Sequence, residues 1–183
     1  MLDELQASQL VRAGQVIAYP TEAVYGLGCD PMNEQAVTRL LDLKQRDRDK
    51  GLIVIGSSLA QFKGLVRPLS NEQLEPAIAS WPGPFTWLLP AAGDCPDWVR
   101  GSHATVAVRI TAHEVCRKLC RLLDGPLIST SANPFDGPPA RSIDQLEDYF
   151  HEGLAGVVRG ELGGLDEPTP IRDLLSGRII RIN

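Results

Sequence analysis

The chain has 183 residues, 43% of them hydrophobic and 22% charged, the proportions of an ordinary globular protein and enough for one domain (1–183) with a buried core. Its net charge of −5 argues against coating nucleic acid by bulk electrostatics, so any RNA or nucleotide contact must come from a local cationic patch. No apolar run approaches the ~20 residues that cross a bilayer, so no membrane association is expected.

The amino terminus, Met1-Leu2-Asp3-Glu4-Leu5, is acidic and amphipathic and lacks the basic start and apolar stretch of a secretory signal. A cytoplasmic location is expected. An amphipathic helix covers roughly Asp3 to Ala13 and stops at Gly14. Val16 to Tyr19 reads as a strand ended by Pro20, followed by a polar, glycine-punctuated turn. Asn33 can cap a second helix whose Ala36, Val37, Leu40, Leu41 and Leu43 form the core-facing stripe. Leu52 to Ile55 is a short apolar strand of the kind buried on both faces.

Phe85 to Leu89 and Thr105 to Ile110 read as further strands. A helix bearing Cys116 and Cys120 ends at Gly125 and feeds the strand Leu127 to Thr130. Ser142 with Gln145 forms the pattern of a capping box for a helix running to about Phe150. Gly156 to Val158 and Arg178 to Ile182 are the last strand candidates. Helices alternating with short strands predict an α/β fold, with a mixed sheet because some connections are too short for crossovers. The Gly/Pro-rich stretches 81–84, 134–139 and 160–170 are loops inside one domain.

Four cysteines, Cys29, Cys95, Cys116 and Cys120, lack framework spacing and are expected as reduced thiols. Cys116, Cys120 and His113 superficially resemble a metal site. Val115, Leu119, Leu122 and Leu123 make the same segment an amphipathic helix in which a buried Cys acts as a small hydrophobe. A structural zinc normally takes four ligands, and no metal site is expected.

No Walker-type G-x-x-x-x-G-K-[ST] is present, Gly26-Leu27-Gly28 is not a complete G-x-G-x-x-G, and no G-x-S-x-G elbow occurs. Dehydrogenase and hydrolase readings lose most of their support. Lys44-Gln45-Arg46-Asp47-Arg48-Asp49-Lys50 puts four cations in seven residues between a helix end and a strand. Such a cluster suits a polyphosphate, with Arg as a bidentate donor and Lys as a mobile point charge. Equally, Lys44 can stabilise the helix carboxyl end while the Asp residues pair with their neighbours.

Ser129-Thr130-Ser131-Ala132-Asn133-Pro134 places hydroxyls and an amide directly after an apolar strand, where α/β sheets bind ligands. The same groups also serve simply to satisfy turn backbone. Glu22, in the turn after the first strand, is either an acid/base group or a solvated or capping carboxylate. Arg109, flanked by Val108 and Ile110, must surface or find an anionic partner, either a substrate carboxylate or a structural Asp or Glu.

Read in order, these segments resemble the threonylcarbamoyl-AMP synthase family, the YrdC-like domain of the bacterial TsaC type. The resemblance runs from about Leu10 to Ile182. It rests on Tyr19-Pro20-Thr21-Glu22-Ala23-Val24-Tyr25-Gly26-Leu27-Gly28, on Lys44-Gln45-Arg46 followed by Lys50-Gly51-Leu52, and on Trp81-Pro82-Gly83-Pro84-Phe85-Thr86. Val106-Ala107-Val108-Arg109, Ser129-Thr130-Ser131-Ala132-Asn133, Thr169-Pro170-Ile171-Arg172-Asp173 and Ile179-Ile180-Arg181 complete it. Ala23 stands where a threonine is common, and Asp47 where proline usually follows the basic motif. The glycine after Asn133 is shifted by one, and no ligand role is carried over to Phe135 or Asp136. With Asn183 as the last residue, the extra carboxyl-terminal domain of longer family members is not expected.

The resemblance implies a twisted, open mixed sheet flanked by helices, with a large positively lined cavity. It implies synthesis of L-threonylcarbamoyl-AMP and pyrophosphate from ATP, L-threonine and bicarbonate or CO₂, for threonylcarbamoyladenosine modification of tRNA. Mg²⁺ is expected with the ATP, in no protein-built site. A downstream tRNA threonylcarbamoyl transferase complex is expected to consume the product. By the same resemblance Lys44, Arg46 and Lys50 take the phosphates, with Lys44 and Arg46 catalytic, and Thr86, Ser131, Asn133 and Arg181 help hold ATP. Thr21 and Arg109 hold threonine, and Ser129 can touch either ligand. A ribosome maturation factor that binds RNA through the same cavity is the competing reading, against which the net charge and the lack of aromatic stacking motifs speak. Weak RNA binding remains compatible with either. Adenylate chemistry on another acceptor, as in carbamoyl transfer during metallocentre maturation, belongs to relatives with additional domains.

Overall fold

The computed structural model describes residues 1–134 and 137–181, the last by its main chain alone. Helix α1 (Glu4–Arg12) starts at a reciprocal capping box. The Asp3 carboxylate accepts the Gln6 N–H at 2.8 Å, and the Gln6 side chain accepts the Asp3 N–H at 3.0 Å. Strand β1 (Ile17–Pro20) turns at 21–24 into β2 (Tyr25–Gly28), which pairs antiparallel with it. The segment expected as a turn is therefore half strand, because its two glycines do not prevent a short antiparallel ladder.

Asn33 caps helix α2 (Glu34–Lys44) through the Ala36 N–H, as expected, and Ala36, Val37, Leu40 and Leu41 are buried. Strands β3 (Ile53–Gly56), β4 (Thr86–Pro90) and β5 (Thr105–Ile110) follow, separated by helices α3 (Asn71–Ile78) and α4 (Asp97–Arg100). Neither helix is expected from apolar periodicity. α3 buries just Leu74 and Ala77 and carries Pro76 inside it, so its signal is its Ser70–Gln73 capping box.

Helix α5 (Glu114–Leu123) leads to β6 (Leu127–Ile128), then β7 (Thr130–Ser131), helix α6 (Ile143–Tyr149), β8 (Ile171–Asp173) and β9 (Ile179–Arg181). At α6 the Ser142 hydroxyl caps the Gln145 N–H, but the Gln145 side chain reaches the N–H of Arg141, so the capping box is incomplete. The expected strand at 156–158 forms isolated parallel bridges, Val157 to Ala18 and Val158 to Leu2.

The main sheet is mixed, ordered β6-β3-β5-β4-β8-β9, and a second, antiparallel sheet is ordered β1-β2-β7. The expected continuous strand 127–130 divides between them, with Ser129 at the crossing. Tyr19, fully buried, fixes that crossing by donating its hydroxyl to the Ile128 carbonyl at 2.8 Å. One core cluster includes Val54, Val106, Val108, Leu27 and the α2 stripe, and a smaller one joins α1, α5 and β1. Among the described residues no helix is long and apolar enough to cross a membrane.

Candidate functional site

Strand β5 shows how the two-residue period of a strand makes a site. Val106 and Val108 are fully or almost fully buried in the core, while the alternate Thr105, Ala107 and Arg109 line a cavity of about 440 Å³. A cavity of that size fits a small-molecule ligand. Its other walls come from both sheets and their connections: the 21–26 turn, segment 46–53, Arg100 and His103, the Ser129 to Ser131 crossing, and residues 168–171. Ile53 is partly exposed for the same reason, so β3 is not buried on both faces along its whole length.

At one end of β5 the polar groups are buried and mutually bonded. Arg109 is 5% exposed, and its Nη2 lies 3.2 Å from Glu22 Oε2. Arg109 Nη1 donates to Thr169 Oγ1 at 2.6 Å, and Thr111 donates to Glu22 Oε1 at 2.6 Å. Of the two expected kinds of partner for Arg109, the structural carboxylate is present, and it is Glu22. Glu22 thereby has its role in an ion pair and not in open solvent. Thr86, fully buried, reaches this group through Thr169, with the two hydroxyl oxygens 3.3 Å apart. Thr21 donates its hydroxyl to the Val24 carbonyl at 2.7 Å, closing the turn whose wall it forms. Ser129 is held by its N–H to Ile53 O at 2.8 Å.

The basic segment divides. Arg46 and Lys50 line the cavity, and Arg46 Nη2 donates to the Gly51 carbonyl at 3.0 Å. Arg48 points away, paired with Asp97 at 2.8 Å and Glu34 at 3.2 Å and lying over the Trp98 ring. Lys44 is buried, and its ammonium donates to Ser131 O, Asn133 O and Asn133 Oδ1. Burial, and then the neighbouring Arg46 charge, push Lys44 down to about 8.

Asn133 completes that knot. Its Oδ1 also accepts from Ser131 Oγ at 2.6 Å, and its Nδ2 donates to Gly137 O at 2.8 Å. Of the residues singled out in the sequence, Thr21, Arg46, Lys50, Arg109, Ser129 and Ser131 share the cavity wall. Lys44, Thr86 and Asn133 stand behind it, and the Arg181 side chain lies outside the described residues. Phe135 and Asp136 lie outside them as well.

Arg100, His103 and Thr169 are wall residues that sequence reasoning did not select. Thr169 sits in a motif already quoted, whereas Arg100 and His103 had no signal, since their loop approaches Lys50 only in three dimensions.

The cysteine helix holds its thiols against carbonyls, Cys116 Sγ to Pro20 O at 3.3 Å and Cys120 Sγ to Ile55 O at 3.6 Å. Burial pushes the Cys116 thiol up and the Cys120 thiol to about 12, as suits packed, unreactive side chains. His113 turns its Nε2 to Glu161 O.

A profile of the Sua5_yciO_yrdC family, described as "Telomere recombination", matches residues 9–182. A Pseudomonas paraeruginosa protein named threonylcarbamoyl-AMP synthase is 53% identical over 175 residues, covering 96% of this chain and 94% of that one. A Stutzerimonas stutzeri protein of the same name is 51% identical over 176 residues, covering 96% and 95%. The solved structure of P. abyssi Sua5 complexed with L-threonine superposes with a TM-score of 0.85 at 32% identity. It covers 94% of this chain and 52% of that one, so this chain spans about half the length of that protein. An α/β chain with a mixed sheet, matched by the profile over nearly its whole length, belongs to the Sua5/YciO/YrdC family.

Proposed function

We propose that this chain makes L-threonylcarbamoyl-AMP and pyrophosphate from L-threonine, bicarbonate or CO₂, and ATP, supplying the donor for N6-threonylcarbamoyladenosine in tRNA. The observation that carries the reading is one cavity with two chemically different ends. Lys50 and Arg46 lie near the Thr105 end of β5, where Gly51 meets Arg100, and Arg109 with Glu22 and Thr21 at the other, while Ser129 stands between them, bonded to Ile53 level with Ala107. Four residue steps of strand carry the chain from Thr105 to Arg109, about 13 Å, which suits a phosphate chain at one end and an amino acid at the other.

The threonine amine adds to CO₂ and loses a proton, giving a carbamate. A carbamate oxygen attacks the α-phosphorus, the bond to the bridging oxygen breaks, and pyrophosphate leaves with the electron pair. Positioning and charge neutralisation are the protein's tasks, as in phosphoryl transfer generally. Arg46 and Lys50 hold the phosphates and stabilise charge as it moves onto pyrophosphate. Arg109 keeps Glu22 and Thr169 and offers its remaining N–H donors to the threonine carboxylate, with Thr21 and Ser129 beside it.

Ser131 contacts the nucleotide, and Asn133 shapes the loop that presents it. Lys44 acts as a positioning residue, since its three acceptors belong to that loop. Thr86 acts through Thr169, and Arg181 is assigned to the nucleotide on the resemblance. Mg²⁺ enters as MgATP and is given no protein ligand. The reaction takes place in the cytoplasm, and the product passes to a tRNA threonylcarbamoyl transferase complex.

The test is pyrophosphate release from MgATP with and without L-threonine and bicarbonate, with mass spectrometry of the nucleotides. Release that requires both co-substrates, with a threonylcarbamoyl-AMP peak, supports the reading. Folded protein that releases none under any combination would overturn it.

A further inference from the structure

The loop after α4 is pressed against the end of the basic segment. Leu52 N–H donates to Val99 O at 2.9 Å, and Ser102 N–H to Asp49 O at 3.2 Å. Two glycines with positive φ permit this approach. A Cβ on Gly101 (φ 65°) would stand 2.3 Å from Asp49 O, and one on Gly51 (φ 63°) would stand 2.8 Å from Arg100 O. The packing sets Arg100 and His103 beside Lys50 on the wall of the same cavity, and Arg100 Nη1 donates to the His103 carbonyl at 2.9 Å, which ties the two together.

Most other cations nearby are already committed. Arg109 faces Glu22, Arg48 faces Glu34 and Asp97 outside the cavity, and Lys44 is turned into the Ser131–Asn133 loop. A triphosphate concentrates charge that two side chains, Arg46 and Lys50, neutralise incompletely. The α-phosphorus must meet the carbamate toward Arg109, so the β- and γ-phosphates extend toward the Thr105 end, where Arg100 and His103 lie.

We infer that Arg100 and His103 extend the polyphosphate subsite beside Lys50 and Arg46 and grip the pyrophosphate part of ATP. The inference rests on the adenylate-forming reading. Arg100, the last residue of α4, and His103, in the loop that follows, lie outside every motif that marks the site in the sequence.

The test measures binding of inorganic pyrophosphate with Mg²⁺ to the full chain by calorimetry, for wild type, Arg100→Ala, His103→Ala and the surface control Arg121→Ala on α5. About tenfold weaker binding in each of the first two, with Arg121→Ala unchanged, is expected from loss of a charge-assisted hydrogen bond. In turnover assays the same variants raise the KM for ATP and leave that for L-threonine unchanged. Wild-type pyrophosphate affinity in both variants overturns the inference, and so does an equal loss in Arg121→Ala, which would mark a net-charge effect. If Arg100→Ala fails to fold, His103→Ala, whose side chain is exposed, carries the test alone. Pyrophosphate binding needs no turnover, so an inactive wild type defeats the proposed reaction, while unchanged affinity in an active enzyme's variants defeats this inference alone.

Discussion

At the Arg109 end of the cavity the polar groups are buried and answer one another, whereas at the Lys50 end they stand on exposed loops that are joined through main-chain bonds. Arg109 and Glu22 each retain less than a tenth of their side-chain exposure, while Lys50 and His103 are exposed. A buried ion pair contributes little net stability when intact, but removing one partner strands an uncompensated charge. The contacts of an exposed cation, by contrast, contribute little to folding. The buried end is therefore expected to couple the fold to the proposed function, and the exposed end to let that function be varied with the fold held constant.

The largest expected effect breaks the buried end. Glu22→Ala leaves Arg109 without its carboxylate and Thr111 without its acceptor, and should lower unfolding free energy by about 3–5 kcal/mol. Urea denaturation measures it. A loss below about 1 kcal/mol would mean that water or Thr169 compensates Arg109, and the contrast between the two ends would collapse.

Next is the catalytic effect without the structural one. Arg46→Ala should cut pyrophosphate release by at least about 10²-fold if it removes a transition-state contact. Its denaturation midpoint should stay close to wild type. Near-wild-type turnover would remove Arg46 from the mechanism, and a large stability loss would show that its bond to the Gly51 carbonyl holds the loop.

Much of this architecture was legible in the residues, and the omissions have physical causes. The α2 stripe, the Asn33 cap and the apolar strands follow from periodicity, because burial on one face selects for it. β2 and α3 escaped since glycine and proline mask short elements that tertiary pairing stabilises. The basic segment pointed to a candidate site, and Arg46 and Lys50 do line the cavity, yet sequence spacing could not say which way each cation turns. The αL residue Gln45, at φ 48°, ends α2 and redirects the chain, so neighbours in sequence separate: Lys44 into the core, Arg46 to the cavity and Arg48 outward. Arg100 and His103 lie some fifty residues from Lys50 in sequence, and only the packing of the two loops brings them to it.

A smaller effect concerns Lys44, buried behind the cavity wall and bonded to the Ser131–Asn133 loop. Its folded pKa of about 8 lies below the value of 10.5 for an unperturbed lysine. Between those values the unfolded chain binds more protons than the folded one, so this group makes stability rise with pH across that window. At pH below 8 both states are protonated and the slope vanishes. Lys44→Met should therefore lower overall stability by freeing three acceptors and, compared with wild type, flatten the rise between pH 8 and 10. The difference between the two pH curves isolates Lys44 from the buried tyrosine and thiols, which titrate in both proteins. Parallel curves would show that Lys44 keeps its proton across the range, and a wild-type activity that does not fall above pH 8 would show that its charge is unimportant to the loop's function.

The smallest expected effect is the sharpest test of the comparison. Arg48 shares the basic segment with Arg46 and Lys50, and a sequence reading gives it equal claim to a phosphate. In the structure its guanidinium bonds Asp97 and Glu34 and covers Trp98, on the outer side of the same loop. Such exposed pairs are screened by salt and contribute little to folding. Arg48→Ala should accordingly leave the KM for ATP within about twofold of wild type at 0.15 M salt, where the Debye length is ~8 Å. If instead it raises that KM as far as Arg46→Ala does, the segment acts through its summed charge and not through the individual directions its backbone imposes. The assignment of Arg100 and His103, which depends on direction, would then lose its footing as well.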